Sequence, residues 1–379
     1  MPAHDLGPRH SRPIKIKSVE AIPVALPFAK TMKMASSELT QADNLLVRIE
    51  ATDGTVGWGE AASAPGMTGD IQPAMVAAVR DILAPMLIGE DARARASLVR
   101  RMHHGLYANT GARSAVEVAL ADLAGRALGV SMSDLYGGAL RDGVKPMWLV
   151  GNPKVEQDIE DARARTREGY AFFKLKVGVK PVEEEIATAL AIRKALGPDV
   201  ILCADANRGF DLTRASRYLA GVAGHGISFL EQPLSYDNLA GLTRLARSQP
   251  IPIGADEGIH SLADIEAHAA AGASGLSLKL IKLGGPAALL AAATVADRLG
   301  LSLNLASKVA ESSLGSAATL HMACLVPSVD WGISLTHVYL AEDVVKRKLT
   351  IENGAVPRPS GPGLGLEVDE SAVARFRVK

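Results

Sequence analysis

Three acidic residues fall at nearly even intervals along the second half of the chain, and each closes a short apolar run. Asp205 follows ILCA, Glu231 follows ISFL and Asp256 follows IPIGA. If each run is a barrel strand, the three carboxylates converge on one rim. Three oxygen ligands there would hold a hard divalent cation and leave positions for water and substrate. The spacing therefore predicts a Mg2+ site, with Mn2+ as an alternative cation.

Lysines bracket these acids in two further apolar runs. Lys174 and Lys176 lie in FFKLKVG, and Lys279 and Lys282 lie in GLSLKLIK. Residues i and i+2 of a strand share one face, so Lys174 and Lys176 point the same way. A cation with an amine on each side of a bound carboxylate forms a site for removing the proton next to that carboxylate.

The chemistry explains these residue types. The enolate formed from a carboxylate carries two negative charges, so a cation should provide most of its stabilisation. The base must be unprotonated when it acts, and like charge from a cation and a second lysine would lower its pKa. Lys174 beside Lys176 supplies such charge, and Lys279 would approach the opposite face. Two working lysines would invert the stereochemistry; alternatively one works and the other steadies the enolate as a cation.

A single Asp or Lys of this set is more simply explained as a solvated strand-end charge or half of an ion pair. Independent surface charges need not fall on consecutive strand ends, so the whole set favours a site. Salt-bridged lysines and carboxylates lining a barrel mouth are the competing interpretation.

The elements that must position these residues alternate regularly. Short β-type runs begin near residues 146, 172, 201, 227, 251, 275, 301 and 331, and helical patterns such as VEEEIATALAIRKALG fill the gaps. Eight such alternations are typical of a (β/α)8 barrel in the α/β class. A doubly wound sheet is the competitor, but no G-x-G-x-x-G follows the first strand.

A different pattern precedes the barrel and predicts an α+β domain. Residues 15–28 alternate like a strand, and residues 44–61 predict a hairpin that turns at Asp53-Gly54. Loops are expected at 29–43 and 62–70, and helices at 71–88, 90–107 and 112–128, the last ending on Gly129. The predicted units are a disordered tail (1–14), a capping domain (15–140), a barrel (141–347) and a C-terminal segment (348–379) that packs back on the capping domain.

Composition restricts the kinds of molecule that the protein is expected to bind. The chain has 379 residues, 48% of them hydrophobic and 22% charged, and a net charge of +0, which provides no field for nucleic acid or anionic lipid. Two cysteines cannot build a disulfide framework, which indicates a cytoplasmic protein. No apolar run is long enough for a membrane span, and MPAHDLGPRHSRP lacks the apolar core of a signal peptide. A small-molecule carboxylate is the expected partner.

Taken together, these pieces resemble the enolase superfamily, and within it the muconate lactonizing enzyme subgroup, from about Lys15 onward. The matching pieces are Lys174-Leu-Lys176, Asp205-Ala-Asn207, the EQP of Glu231, Asp256-Glu257, LKLIKLGG around Lys279, AESSLG at 310–315 and GPGLGLEVDE near the end. No single tripeptide is specific, so the resemblance rests on their order and spacing.

The resemblance implies an N-terminal α+β capping domain on a modified TIM barrel, (β/α)7β. It implies Mg2+ on Asp205, Glu231 and Asp256, with Lys176 and Lys279 as the acid/base pair. Related proteins are commonly homo-oligomers, and we expect the same here.

Departures from the family pattern narrow the activity. The mandelate racemase subgroup uses a histidine after the seventh strand, where LSLNLASK has none. Dipeptide epimerases carry D-x-D near the eighth strand, where this chain has WGISLTH, and this argues against an aminoacyl dipeptide substrate. DEG replaces the commoner DES after the fifth strand. There Glu257 is expected to hydrogen-bond a lysine rather than the metal, with a solvated loop charge as the alternative.

The remaining candidates concern the substrate. Lys174 and Asn207 are expected to contact it, and Glu311 could reach it or Lys279, unless Glu311 is only an acid at a helix N-terminus. Lys308 could meet an anionic distal group, although a solvated lysine is the simpler interpretation. Trp331 is most simply core packing.

The capping loops contribute methionines. Met32, Met34 and Met67 lie in the two loops that close over substrate in this superfamily, and methionine suits an adaptable apolar lid. Ordinary packing is the default interpretation of these three side chains.

The leading hypothesis is a Mg2+-dependent isomerase that forms an enolate from a small carboxylate, muconate cycloisomerase-like. Cycloisomerisation, racemisation or epimerisation of amino-acid derivatives such as N-acylamino acids, and dehydration share this machinery, and specificity lies in the loops. A Schiff-base aldolase or lyase with Lys176 as the nucleophile is the alternative from a different class. A non-catalytic barrel that binds a carboxylate metabolite is the third.

Overall fold

A computed structural model describes residues 13–34, 37–309 and 311–378, and it gives residues 31–34 and 37–39 by their backbone alone. A three-stranded sheet with helices comes first along the chain, and an eight-stranded parallel barrel follows. Of the predicted tail, residues 1–12 lie outside the described residues.

The first sheet is antiparallel. Its strands, in spatial order, are β1 (Ile16–Met34), β2 (Ser37–Ala51) and β3 (Val56–Ala62). The turn predicted at Asp53-Gly54 joins β2 to β3. The predicted loop at 29–43 is wrong for most of its length, because β1 and β2 continue to pair as far as Met34 and Ser37. Main-chain hydrogen bonds hold such an extension, so polar side chains alone did not indicate a loop.

The three predicted helices are present. The first is α1 (Gln72–Ala77), a π-helical segment (Ala78–Leu83) and α2 (Ala84–Leu87) in one run; the second is a 3-10 turn (Ala92–Ala94) with α3 (Arg95–Gly105); and the third is α4 (Thr110–Leu128). The short α5 (Met132–Leu135) follows them. Gly129 ends α4 with a φ of 74°, the left-handed position that favours glycine after a helix. The helix α4 is largely buried and packs on β3.

The barrel confirms the predicted α/β fold. After β4 (Gly143–Val144), its eight strands are β5 (Met147–Val150), β6 (Phe172–Lys176), β7 (Ile201–Asp205), β8 (Ile227–Glu231), β9 (Ile253–Ala255), β10 (Gly275–Leu278), β11 (Ser302–Ala306) and β12 (Ile333–Ser334). Each strand pairs with the next in parallel, and a bridge between Pro146 and Ile333 joins the last strand to the first.

Helices separate the strands as the alternation predicts. They are α6 (Val155–Arg167), α7 (Val182–Leu196), α8 (Leu212–Val222), α9 (Leu239–Ser248), α10 (Leu262–Ala270), α11 (Leu280–Leu283), α12 (Pro286–Arg298) and α13 (Ser313–Leu325). After β12 the described chain has a 3-10 turn (His337–Tyr339) and β13 (Val356–Pro357), and its next α-helix is α14 (Glu370–Phe376). The barrel therefore has the modified (β/α)7β form. Among the described residues, no helix has the length and apolar character needed to span a membrane.

The barrel floor is solidly packed. A cluster fills it: Met147, Phe172, Cys203, Phe229 and Trp331. The rings of Phe229 and Trp331 stack with centroids 3.8 Å apart, so Trp331 is core packing as predicted. Gly254 and Gly275 make room for that ring, since a Cβ on either would lie within 2.7 Å of it. Phe172, Cys203 and Phe229 each precede a polar site residue by two positions, which places polar chemistry one layer above this floor.

The chain after the barrel returns to the first domain. The backbone N–H of Leu364 donates to Asp122 Oδ1 of α4 at 2.7 Å, and that of Val378 donates to the Pro23 carbonyl of β1 at 3.0 Å. The strand β13 pairs with β4. These contacts agree with the expected course of residues 348–379, and the exact domain boundaries remain predictions.

Candidate active site

Strand register aligns the predicted site residues. Lys176 of β6 pairs with Asp205 of β7, Asp205 pairs with Glu231 of β8, and Glu231 pairs with Gly254 of β9. Asp256 lies two residues beyond Gly254 and so faces the same interior. The acids from three neighbouring strands therefore meet at the carboxyl rim of the barrel, where such barrels carry their active sites.

A cavity of about 280 Å³ opens above this rim, and the loop after β3 contributes to its wall. Its polar lining includes these predicted residues: Lys174, Lys176, Asp205, Asn207, Glu231, Asp256, Glu257 and Lys279. Met67 lines it from the second capping loop. The side chains of Met32 and Met34 lie outside the described residues. The structure thus brings the predicted catalytic and metal-site residues to one cavity.

On the β6–β8 side of the cavity, lysine ammonium groups donate hydrogen bonds to the carboxylate oxygens. Lys176 Nζ donates to Asp205 Oδ2 at 2.6 Å and to Asn207 Oδ1 at 2.8 Å. Lys174 Nζ donates to Glu231 Oε2, and both side chains are buried. Glu231 Oε1 accepts from the Ser277 hydroxyl at 2.8 Å. The acids are consequently charge-paired and fixed in orientation.

Two lysines donate hydrogen bonds to Asp256. Lys279 Nζ donates to both of its carboxylate oxygens, and Lys282 Nζ donates to Oδ1 at 2.7 Å. Lys282 is fully buried, and it also donates to the carbonyl oxygens of Asp256 and of Ser277, the latter at 2.9 Å. No role for Lys282 was predicted from the sequence. The sequence signal for such a role was the position of Lys282 inside an apolar turn. A lysine buried there needs polar partners for its amine.

These pairs determine the direction of the pKa shifts. Burial opposes the charge of Lys174, but the carboxylates of Glu231 and Asp205 outweigh it and raise its pKa. The pKa of Lys279 is likewise raised, because Asp256 outweighs burial. The sequence predicted that like charge would lower the pKa of a working lysine. The protein groups around these two lysines do the opposite, because carboxylates, not amines, are their nearest neighbours.

The pKa values of Asp256 and Lys282 are lowered, in contrast to those of Lys174 and Lys279. Burial favours the neutral acid of Asp256, yet Lys279 and Lys282 hold its pKa well below the usual range. The pKa of Lys282 is lowered by burial and by the charge of Lys279. Burial raises the pKa of Glu231, although Lys174 opposes this.

The donor set fits a hard cation only after a rearrangement. In residues 13–34, 37–309 and 311–378, no three His, Cys, Asp or Glu side chains already stand as a metal-binding group. Ammonium groups take the carboxylate oxygens instead, which is the arrangement of the competing salt-bridge interpretation. Asp205, Glu231 and Asp256 are nevertheless buried carboxylates on one cavity, the ligand type that Mg2+ prefers. A cation there would have to displace the lysine ammonium groups from these oxygens.

Glu257 differs from its expected contacts. Its Oε1 accepts from Asn207 Nδ2 at 3.2 Å and lies 3.7 Å from Arg208 Nε, whereas a lysine donor was expected from the sequence. Burial, with the charges of Asp256 and Asp205, raises its pKa to about 7. Asn207 therefore bridges Glu257 to Lys176, in addition to facing the cavity.

The backbone is strained directly after two of the acids. Asn207, Arg208 and Gln232 have positive φ angles of 41°, 69° and 36°. Non-glycine residues adopt this region rarely, and such strain concentrates at functional sites. The bend after Glu231 lets Gln232 Oε1 accept from the Asp256 backbone N–H at 2.8 Å, which links the ends of β8 and β9.

Glu311 is not among the cavity-lining residues that the structure describes. Its Oε2 accepts from the Lys308 backbone N–H at 3.1 Å, and burial, with the charge of Glu60, raises its pKa to about 8. Lys308, by contrast, lines the cavity and is partly buried, so the expectation of a solvated lysine is wrong. Burial lowers the pKa of Lys308 to about 8.

Glu60 of β3 makes contacts that were not predicted from the sequence. Its carboxylate accepts from the Ser312 hydroxyl at 2.6 Å and from the backbone N–H groups of Ser312 and Gly315, at the N-terminus of α13. A carboxylate suits a helix N-terminus because it complements the free N–H groups and the dipole. The sequence signal for Glu60 was an acid inside the otherwise apolar strand VGWGEAA. Its contacts with α13 tie the first domain to the barrel.

Two protein families match most of the chain. Residues 16–137 match the "Mandelate racemase / muconate lactonizing enzyme, N-terminal domain", and residues 157–372 match the "Enolase C-terminal domain-like" family. Muconate cycloisomerase 1 of Pseudomonas putida is 33% identical over 370 residues, covering 96% of this chain and 98% of that protein. A chloromuconate cycloisomerase of Cupriavidus pinatubonensis is 30% identical over 93% of this chain and 96% of its own length.

Solved structures agree. The muconate lactonizing enzyme from Pseudomonas fluorescens, complexed with muconolactone, has a TM-score of 0.93 and 32% identity, covering 97% of this chain and 100% of that one. The 2-chloromuconate cycloisomerase from Rhodococcus opacus has a TM-score of 0.91 and 28% identity, over 96% of this chain and 100% of its own. Fold and site together define a barrel isomerase of the enolase superfamily. Within it, this chain belongs to the mandelate racemase/muconate lactonizing enzyme family.

Proposed function

We propose that this protein is a Mg2+-dependent cycloisomerase that closes an unsaturated dicarboxylate, such as muconate, into a lactone through an enolate. Its near full-length relatives are named muconate and chloromuconate cycloisomerases, and one similar structure holds muconolactone. One observation carries the proposal: a single cavity is lined by Asp205, Glu231 and Asp256 and by lysines from two opposite walls.

The two proposed acid/base lysines come from opposite sides of the barrel. Lys176 ends β6 and Lys279 follows β10, and these strands are four apart in the eight-stranded order. A substrate between them would have one amine on each face. In this structure, hydrogen bonds to Asp205 and Asp256 keep the two ammonium groups at the cavity.

The proposed reaction balances without a further reactant. One carboxylate oxygen forms a C–O bond to the carbon β to the other carboxylate. The π electron pair of that double bond moves toward the second carboxylate and gives an enolate. A lysine ammonium then donates its proton to the α carbon, which completes the lactone and leaves a neutral amine.

Asp205, Glu231 and Asp256 would hold the cation, and Mn2+ could replace Mg2+ there. When bound, the ion would supply positive charge that stabilises the developing enolate. In this proposal Lys174 and Asn207 contact the substrate carboxylate, while Glu257 orients Asn207 through their hydrogen bond.

The test is conversion of cis,cis-muconate with Mg2+ in deuterated water, with the product analysed by NMR. The wild type should form muconolactone with one deuterium at the α carbon, and EDTA should abolish turnover. Replacing the proton donor with alanine should reduce the rate by a factor of about 10² to 10⁴. We therefore expect Lys176→Ala or Lys279→Ala, or both, to show this loss.

Lys180→Ala provides the matched control, since Lys180 is a half-buried partner of Glu184 outside the cavity. Undiminished turnover in both lysine variants would refute the proposed roles. Covalent trapping by borohydride together with full activity in EDTA would favour a Schiff-base enzyme using Lys176 instead.

The opposed lysines also favour a second candidate, a racemase or epimerase acting on an amino-acid derivative such as an N-acylamino acid. Two amines on opposite faces allow removal of a proton on one side and its delivery on the other. Exchange of the α-hydrogen of both enantiomers with deuterated water, without lactone formation from muconate, would select this activity.

A further inference from the structure

A row of three buried polar side chains crosses the barrel interior beside the cavity. The row consists of Glu231 of β8, Ser277 of β10 and Asn304 of β11, each at most 1% exposed. Ser277 and Asn304 pair in register on neighbouring strands, so their side chains lie next to each other. Buried polar groups are costly unless they are hydrogen-bonded, so the contacts within this row indicate its purpose.

The contact between Ser277 and Glu231 passes over strand β9, which lies between β8 and β10. On β9 the residue paired with Glu231 is Gly254, and Gly254 also pairs with Gly275 of β10. Neither glycine has a side chain that could fill the space between Glu231 and Ser277, the next inward residue of β10. The Ser277 hydroxyl consequently reaches Glu231 Oε1 at 2.8 Å.

Asn304 has a fixed orientation. Its Nδ2 donates to the Trp331 carbonyl at 3.2 Å and to the Gly332 carbonyl at 2.9 Å, directly before β12. Both amide protons are then used, so the amide oxygen turns the other way and lies 3.0 Å from Ser277 Oγ. The Ser277 hydroxyl is therefore held between two acceptors, Glu231 and Asn304.

The structure describes two side chains that donate to Glu231, and they differ in charge. Lys174 is a cation, so it competes with a divalent ion for the carboxylate. Ser277 is neutral, and an ionised carboxylate has enough lone pairs to accept its hydrogen bond and bind an ion. Hydrogen bonds to an ionised acceptor are the stronger ones, so the single hydroxyl proton of Ser277 goes to Glu231 rather than to Asn304. Ser277 is thus the donor that can stay in place when the lysine is displaced.

We propose that Ser277 is a positioning residue of the cation site, which holds the Glu231 carboxylate in orientation while a divalent ion takes the place of Lys174. Asn304 keeps the Ser277 hydroxyl at this position, because Asn304 is itself anchored to the backbone before β12. The inference rests on the proposed cation, and it does not depend on which substrate the cavity binds.

Titration of the full chain with Mn2+, followed by the electron paramagnetic resonance signal of the free ion, measures cation affinity without turnover. Ser277→Ala should weaken Mn2+ binding by about 10-fold to 100-fold, which is the usual effect of losing a group that orients a metal ligand. Ser277→Thr keeps the hydroxyl and should restore most of the affinity.

Ser114→Ala is the control for removing a buried hydroxyl. Ser114 lies in α4, is 1% exposed, and its Oγ has no hydrogen-bond partner among the described residues. This variant should bind Mn2+ like wild type. Equal Mn2+ affinity of wild type and Ser277→Ala, or an equal loss in Ser114→Ala, would overturn the positioning role.

The positioning role and the proposed function can fail separately. If wild type does not convert muconate but Ser277→Ala alone loses Mn2+ affinity, the positioning role is supported and the cycloisomerase reaction is not. If wild type converts muconate and Ser277→Ala binds Mn2+ as tightly as wild type, the positioning role is wrong and the proposed function stands.

Discussion

Lys282 shows how the site depends on residues that do not face the cavity. It is completely buried and holds Asp256 by its carboxylate and by its carbonyl oxygen. A buried ion pair contributes little net stability, but removing one partner leaves an uncompensated charge. We therefore expect Lys282 to be required for folding and for the orientation of Asp256.

Lys282→Met should lower the free energy of unfolding by about 3 kcal/mol, because Asp256 and the Ser277 carbonyl lose a donor in a dry site. Urea unfolding followed by circular dichroism measures this change. Lys180→Met, which removes a half-buried i,i+4 partner of the exposed Glu184, should cost no more than about 0.5 kcal/mol. Equal stability of the two variants would contradict the role assigned to Lys282.

Asn207 is expected to position Lys176. Its amide accepts from Lys176 Nζ at 2.8 Å and donates to Glu257 at 3.2 Å. Loss of such an orienting group costs about 10-fold to 100-fold in activity. We expect this loss in kcat for both Asn207→Ala and Asn207→Gly.

The two substitutions separate positioning from backbone strain. The φ of Asn207 is 41°, which glycine adopts freely and alanine does not. Only Asn207→Ala should therefore lose stability, by about 1 kcal/mol. Full activity of Asn207→Gly would show that the amide has no positioning role.

At the residue scale, sequence could predict most of the side chains that reach the cavity, with Glu311 as an exception, but not their partners. Asp205, Glu231 and Asp256 were identifiable because each closes an apolar strand, and strand ends meet at one rim. The hydrogen-bond donor to Glu257 could not be identified from the sequence, because Asn207 reaches Glu257 only through a backbone bend with positive φ. Lys308 was already a sequence candidate for an anionic distal group, whereas Ser334, which also lines the cavity, had no sequence signal of its own.

At the element scale, helix α4 joins the first domain to the barrel through one acid. Glu117 of α4 accepts from the Ala287 backbone N–H in the first turn of α12 at 2.8 Å, and from the Tyr136 hydroxyl at 3.1 Å. Burial raises the pKa of Glu117 to about 7. The neutral acid is therefore favoured in the folded protein, and this contact should depend on pH.

The direction of the change in stability with pH follows from the raised pKa of Glu117. Glu117 contributes stability that is fully present below its unfolded pKa near 4.5 and is lost as the pH rises through about 7. Glu117→Gln keeps the acceptor oxygen and removes the titration. Between pH 5 and pH 8.5, the free energy of unfolding of wild type should fall relative to this variant, by at most about 3 kcal/mol.

Denaturant unfolding at several pH values measures this difference. Glu160→Gln, at an exposed position of α6, should follow wild type at every pH. Parallel pH profiles for wild type and Glu117→Gln would mean that Glu117 does not titrate in this range.

Elements themselves were largely predictable, because alternation of strands and helices has a strong period. The failure at residues 29–43 has a physical cause: a hairpin can extend by main-chain pairing where its side chains are polar. The capping of α13 by Glu60 also escaped prediction, because it joins residues 252 positions apart.

At the scale of the whole molecule, the two domains complete one cavity. The barrel supplies the acids and lysines, and the loop after β3 supplies Ser63 to Met67 of the wall. Helix α13 begins against Glu60 of β3, so the first domain also fixes the loop that carries Lys308 and Glu311. We infer that substrate selection depends on both domains, while the proposed proton transfer belongs to the barrel.

The central claim is that Asp205, Glu231 and Asp256 exchange their lysine partners for one divalent cation. A crystal grown with Mn2+ and measured at the manganese absorption edge tests it most directly. We predict one anomalous peak in the cavity, coordinated by oxygens of all three carboxylates, with the ammonium groups of Lys176 and Lys279 on opposite sides of it. Carboxylates that stay bonded to lysines, with no peak between them at saturating Mn2+, would contradict it.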